Sequence, residues 1–175
     1  MRSVLAHIFL WLEAALDRIF GARWNPLYQL GALGFFYYWV VAVTGIYVYI
    51  FFDTGATEAY DSIEYLTHEQ WYVGGIMRSL HRYGSDGMAL MMIVHMLREF
   101  AFDRLKGPRA FTWITGIPVA AFVVISGITG YWLIWDRLAQ YIAVATTEWL
   151  DWLGIFGVPI ARNFLTPQSL DDRFF

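Results

Sequence analysis

Apolar and polar stretches alternate along the chain at lengths that predict helices. Residues from about Leu27 to Phe52 carry no charged side chain and are long enough to cross a bilayer with some tilt. A second run, about Gly74 to Phe100, reads as helix, and a third, about Phe111 to Trp135, is again free of charge. Before them, within about residues 4–20, Leu5, Ile8, Phe9, Leu12, Leu16 and Ile19 recur with helical spacing among Arg2, Glu13, Asp17 and Arg18. That segment is too charged to span and suits a helix lying in the interface. Its acidic residues and the lack of a clear cleavage site make it a poor secretory signal. Asn25-Pro26 opens the first span, and Pro118 is expected in the first turns of the third, where proline is tolerated.

The connections are polar. Asp53 to Gln70 reads as a loop with five acidic residues and no Lys or Arg, and Asp103 to Arg109 (DRLKGPR) as a tight basic turn broken at Gly107-Pro108. Residues 136–168 are mixed, with Tyr141–Leu153 aromatic, amphipathic and expected at the interface. Ser169 to Asp172 resembles a capping box with Asp in place of Glu, the start of a further helix over about 169–175. The expected fold class is therefore all-α: a transmembrane helical bundle, with three spanning helices in residues 1–175 plus interfacial helices. The expectation at the end of the chain is that a further helix follows Phe175 or belongs to another polypeptide.

Composition supports that class. The chain is 58% hydrophobic, 19% aromatic and only 15% charged, less charge than a soluble domain of 175 residues normally carries. The net charge of −3, with no basic run, gives no sign of nucleic-acid binding. The absence of cysteine excludes disulfides, thiolate metal sites, iron–sulfur clusters and thioether-attached haem on these residues, and leaves histidine as the ligand for a redox-active metal. Arg2, Arg18 and Arg23 fall on the same side as Arg98, Arg104, Lys106 and Arg109, while the 53–70 connection is acidic. The positive-inside rule then puts the N-terminus and the 103–109 turn in the cytoplasm, stroma or matrix.

The candidate chemistry sits in the second span, RSLHRYGSDGMALMMIVHMLR (Arg78 to Arg98). His81 and His95 are 14 residues apart, which on a helix brings them to within about 40° of one face and about 21 Å apart along the axis. Two readings are open: axial ligands for two cofactors stacked across a membrane, or two polar residues buried in a helical bundle. The first and third spans each carry glycines at the same interval, Gly31 with Gly45 and Gly116 with Gly130. Glycine in a membrane helix admits either a large flat group or a neighbouring helix. His7 reads as an ordinary interfacial residue and His68 as loop surface.

One His ladder and two Gly ladders on three successive spans resemble the N-terminal half of the cytochrome b / cytochrome b6 family. Local words agree: SLHRYGSDGMALMMIVHMLR, TWITG, ITGY, the Trp135-Asp136 pair, and WLEAALDRI near the start, which resembles the short amphipathic helix of the b6 branch. The likeness runs from about Trp11 to Phe175. It implies a four-helix bundle with two b haems, one above the other. His81 would bind the low-potential haem on the outer, positive side and His95 the high-potential haem on the inner side. Gly31 and Gly116 would flank the inner haem, and Gly45 and Gly130 the outer one. Arg78 and Arg98 match the family's propionate partners, with Arg109 as a weaker third.

Departures sharpen the expectation. The family's fourth helix, with two more axial histidines, is not among residues 1–175, so the axial partners of His81 and His95 are expected from outside them. The quinol-oxidation motif of the family's C-terminal half is also absent. Ile134 stands where the family usually has proline before Trp135, and Gln29 where the b6 branch has the cysteine that attaches an extra haem, so no covalent haem c is expected. The resemblance thus implies an integral multi-pass subunit that carries electrons from a quinol-oxidising site on the positive side to a quinone site on the negative side. It would belong to a bc/b6f-like complex, itself a dimer, with the C-terminal half of cytochrome b, an iron–sulfur protein and a c-type cytochrome or equivalent. It is not expected to be catalytic alone. The alternatives are a b-type cytochrome anchor of a dehydrogenase or hydrogenase, and a cofactor-free structural or transport membrane subunit.

Overall fold

The computed structural model describes residues 1–155, 158–164 and 170; apart from Leu170, the helix start expected at Ser169–Asp172 lies outside them. Six α-helices follow in order among the described residues: α1 (Arg2–Phe20), α2 (Leu30–Ile50), α3 (Glu58–His68), α4 (Ile76–Ala101), α5 (Ala110–Trp132) and α6 (Arg137–Trp152). There is no strand among the described residues. The stretches Pro26–Ile50 and Gly107–Trp132, 25 and 26 residues, are long and apolar enough to cross a membrane. Helix α4 is equally long, with 26 residues, but includes Arg78, Arg82, Asp86, Arg98 and Glu99. The chain divides into two compact units, residues 1–43 with 80–124, and residues 44–79 with 125–175.

In the first unit, the Asn25-Pro26 break is a built corner. The Asn25 side chain is fully buried. Its amide donates to the Glu13 carbonyl at 3.0 Å and to Asp17 Oδ1 at 2.7 Å, and its own oxygen accepts from the Leu27 N–H. It thereby caps the short 3-10 turn Pro26–Gln29 and fixes it against α1. Glu13 is one of the few buried charges. It draws α1 onto α4 through Arg98, and Arg2 pairs with Asp103 at 2.8 Å, holding the other end of α1 to the turn after α4. So α1 is a helix as expected, but two of its charges are tethers. Helices α2 and α4 meet at glycines outside the expected ladders. A Cβ on Gly84 would lie 3.2 Å from Val40 Cγ1, and one on Gly87 would lie 2.8 Å from the Tyr37 ring.

The second unit corrects the expected 53–70 loop, which contains α3. Ala59, Ser62, Ile63 and Leu66 are its buried face, and Glu58 and Asp61 occupy its first turn, where the helix dipole favours acids. His68 ends this helix rather than sitting in a loop. A π-turn, Trp71–Gly75, packs on α3, and Gly74 is required because a Cβ there would lie 2.8 Å from the Leu66 carbonyl oxygen. The region after Trp135 also holds a continuous helix, α6. Asp136 caps it by accepting from Ala139 N–H at 2.7 Å, and Asp151 accepts from Ile160 and Ala161 N–H at 2.7 and 3.0 Å. Trp135 takes a left-handed backbone, φ 53°, and stacks on Phe164 with ring centroids 6.1 Å apart. Pro118 lies inside α5, eight residues past Ala110.

Candidate functional site

Helix α4 runs without interruption through both histidines, so the expected spacing of about 21 Å and about 40° holds along one rod. His81 Nδ1 lies 3.0 Å from the Val41 carbonyl oxygen of α2. A carbonyl only accepts, so Nδ1 carries the proton and donates it. The contact fixes the ring's orientation from the Nδ1 side, as carbonyl partners do for metal-binding imidazoles. Val41 stands four residues before Gly45, so one turn of α2 carries both the orienting carbonyl and an expected glycine.

His95 lies against the other end of α2. A Cβ on Gly31 would come 3.7 Å from His95 Cε1 and 3.8 Å from Nε2, ordinary contact that leaves the ring edge bare. His95 also lines a pocket with Met96, Glu99, Arg104, Arg109, Thr112, Trp113 and Gly116. Among the described residues, nothing comes within 4 Å of a Cβ added at Gly116, and the same is true of Gly130 further along α5. Protein packing therefore does not require glycine at these two positions. An imidazole, a bare helix face beside it and guanidinium groups at the rim fit a flat, apolar, acid-bearing macrocycle such as haem. The pocket brings together His95, Gly116 and Arg109 of the expected residues, with Gly31 against the same imidazole.

The arginines are placed more specifically than the sequence suggested. Arg98 is buried; its Nε and Nη2 both stand 2.8 Å from Glu13 Oε1. Its guanidinium lies over the rings of Phe102 and Tyr28, 5.2 and 5.5 Å from their centroids. Arg98 thus serves the α1–α4 junction. Arg78 donates to Thr67 Oγ1 at 3.0 Å, next to α3. Arg109 reaches Glu99 Oε2 at 3.2 Å, and Arg104 reaches Glu99 Oε1 at 3.1 Å.

His7 and His68 each have a local partner. His7 Nδ1 lies 2.6 Å from the Ser3 carbonyl on exposed α1. The His68 side chain is 69% exposed, with Nε2 3.1 Å from Glu64 Oε2 one turn earlier. Gln29 turns its amide to the Arg23 carbonyl at 3.0 Å. Three site residues were not singled out from sequence: Glu13, Glu99 and Arg104. Glu99 was findable, because four residues after His95 it must fall on nearly the same helix face. Nothing local marks Glu13 as the partner of a residue 85 positions away.

The profile of the family described as cytochrome b/b6/petB matches residues 16–174. The chain is 34% identical to cytochrome b6 of Euglena gracilis over 155 residues, covering 86% of this chain and 72% of that protein. With the match running from the end of α1 through α2 to α6, the chain belongs to the cytochrome b/b6 family.

Proposed function

We propose that the chain is a haem-b-bearing membrane subunit that carries electrons between two quinone sites of a bc- or b6f-type complex. The observation that carries this reading is that one uninterrupted helix presents two histidines, His81 oriented through Nδ1 by the Val41 carbonyl and His95 at the border of a pocket with Gly116 and Arg109. Haem at the two histidines supplies one-electron transfer along the span. The chain's own groups do the rest. His81 and His95 would each give one ring nitrogen to hold a haem, at levels about 21 Å apart along α4. Gly31 and Gly116 would keep the faces beside His95 bare, and the family resemblance assigns Gly45 and Gly130 to the other haem. Arg109 stands at the rim to meet a carboxylate. His7 and His68 bond within their own helices, so any further histidine ligand at either level would have to come from outside residues 1–175.

In this reading, His81 lies on the positive side and His95 on the negative side, as the positive-inside rule places the Arg104–Arg109 turn. Quinol is oxidised on the outer side by the assembled complex, with an iron–sulfur protein and a c-type cytochrome or equivalent as partners. Quinone is reduced on the inner side.

The test is a potentiometric titration of the purified complex, followed by its reduced-minus-oxidised spectrum. His81→Ala and His95→Ala should each remove one low-spin b-type component and leave the other. Retention of two components in both variants overturns the ligand assignment.

A further inference from the structure

We infer that Glu99 is a positioning residue for the site at His95: it holds Arg104 and Arg109 at the pocket rim and sets the local charge balance; the inference rests on the haem reading above. Three guanidinium groups converge on this one carboxylate. Arg104 and Arg109 stand 3.1 and 3.2 Å from its two oxygens, and Arg98 Nη1 is 3.7 Å away. Arg98 is already held at 2.8 Å by Glu13, which leaves Glu99 to serve the other two. The Glu99 side chain is only 17% exposed, whereas those of Arg104 and Arg109 are 39% and 58% exposed. The anchor is therefore sheltered and the two cations are at the surface.

An arginine otherwise loses much side-chain freedom when it meets an anion. Here that freedom is already restricted by Glu99 before an acidic group arrives. One carboxylate against two guanidiniums leaves a single positive charge at the rim, suited to one further carboxylate, such as a haem propionate. Glu99 also stands one helical turn, about 6 Å, from His95 and on nearly the same face. A negative charge at that place favours the oxidised, more positive state of a group bound at His95, and the two guanidiniums favour the reduced one. Neutralising Glu99 and neutralising either arginine therefore act in opposite directions.

The experiment is a redox titration of the purified complex in which the b component lost in His95→Ala is followed in the other variants. Glu99→Gln should raise the midpoint potential of that component and leave the other in place, and Glu99→Asp should restore most of the parental value. Arg104→Gln and Arg109→Gln should each lower it, with Arg109→Gln also reducing haem content. Unchanged potentials in all of these variants, or a shift of the same sign in Glu99→Gln and Arg109→Gln, overturns the role of Glu99. If Glu99→Gln does not accumulate, the double variant Glu99→Gln with Arg104→Gln is compared with Arg104→Gln alone: a higher midpoint in the double variant supports the role of Glu99, and an equal or lower one overturns it. If His95→Ala removes no b component, the reading of His95 itself falls, a result separate from unchanged potentials at a component that is present.

Discussion

Gly116 and Gly130 differ from Gly84 and Gly87 in what surrounds them, and substitution should separate the two kinds. A side chain on Gly84 or Gly87 runs into Val40 or Tyr37 at 3.2 and 2.8 Å. Gly87→Leu should therefore cost about 1–3 kcal/mol of stability, read as an earlier thermal transition in detergent. At Gly116 the chain offers open space, so Gly116→Leu should leave the stability of the cofactor-free chain within about 0.5 kcal/mol. It should still lower haem occupancy at His95; a full complement of haem in this variant would mean that no flat group lies there. The spacing of these glycines was legible in the sequence because a helix converts an interval into a direction. The reason for each glycine was not, since that depends on which neighbour occupies the space. The same holds for arginine. Arg98 sits at the position where the family resemblance implied a propionate partner, yet its guanidinium is matched to Glu13.

At the scale of elements, α1 is joined to the rest of its unit by polar links as well as by the Phe9–Phe102 contact, with ring centroids 6.3 Å apart. Glu13→Gln leaves the Arg98 charge buried without its counter-ion, and should cost about 3–5 kcal/mol in the docking of α1. Hydrogen exchange should report this as faster opening of residues 2–20, with the centre of α2 unaffected. The far end of α1 carries a pH dependence. The Arg2 hydrogen bond holds the Asp103 carboxyl below its usual value of 3.8, so the link is complete above that pH and is lost as pH falls through the lowered value. Proteolysis at the N-terminus of α1 should rise on acidification below about pH 3.8, and Asp103→Asn should show the acid level at neutral pH. Helix α3 was partly legible: Ala59, Ile63 and Leu66 recur every three or four residues. The run of acids that suggested a loop instead occupies the exposed face and the first turn of a short helix. The amphipathic run read over Tyr141–Leu153 falls almost wholly within α6, and Asp136, a good N-cap, marks where that helix starts.

For the whole molecule, class and membrane character were legible because length and apolar content are sums over many residues, which local errors do not overturn. Of α5 only Trp132 is buried within the chain, and large side chains such as Phe111, Ile114 and Phe122 are exposed. The chain should therefore fractionate with membranes and resist carbonate extraction, and release into the soluble fraction would contradict the assignment. Expressed alone, residues 1–175 should retain little six-coordinate haem, with the low-spin spectrum appearing when the partner helix is supplied. The link between Glu13 and Arg98 also orders events in time, because it closes a gap of 85 residues. At roughly 5–20 residues per second of synthesis, Arg98 emerges about 4–17 seconds after Glu13. Throughout that interval Glu13 lacks the Arg98 counter-ion, and a carboxylate without one favours water over an apolar interior. The segment made first is thus the one that docks late: it waits for the second long helix to arrive before its own charge can be sheltered.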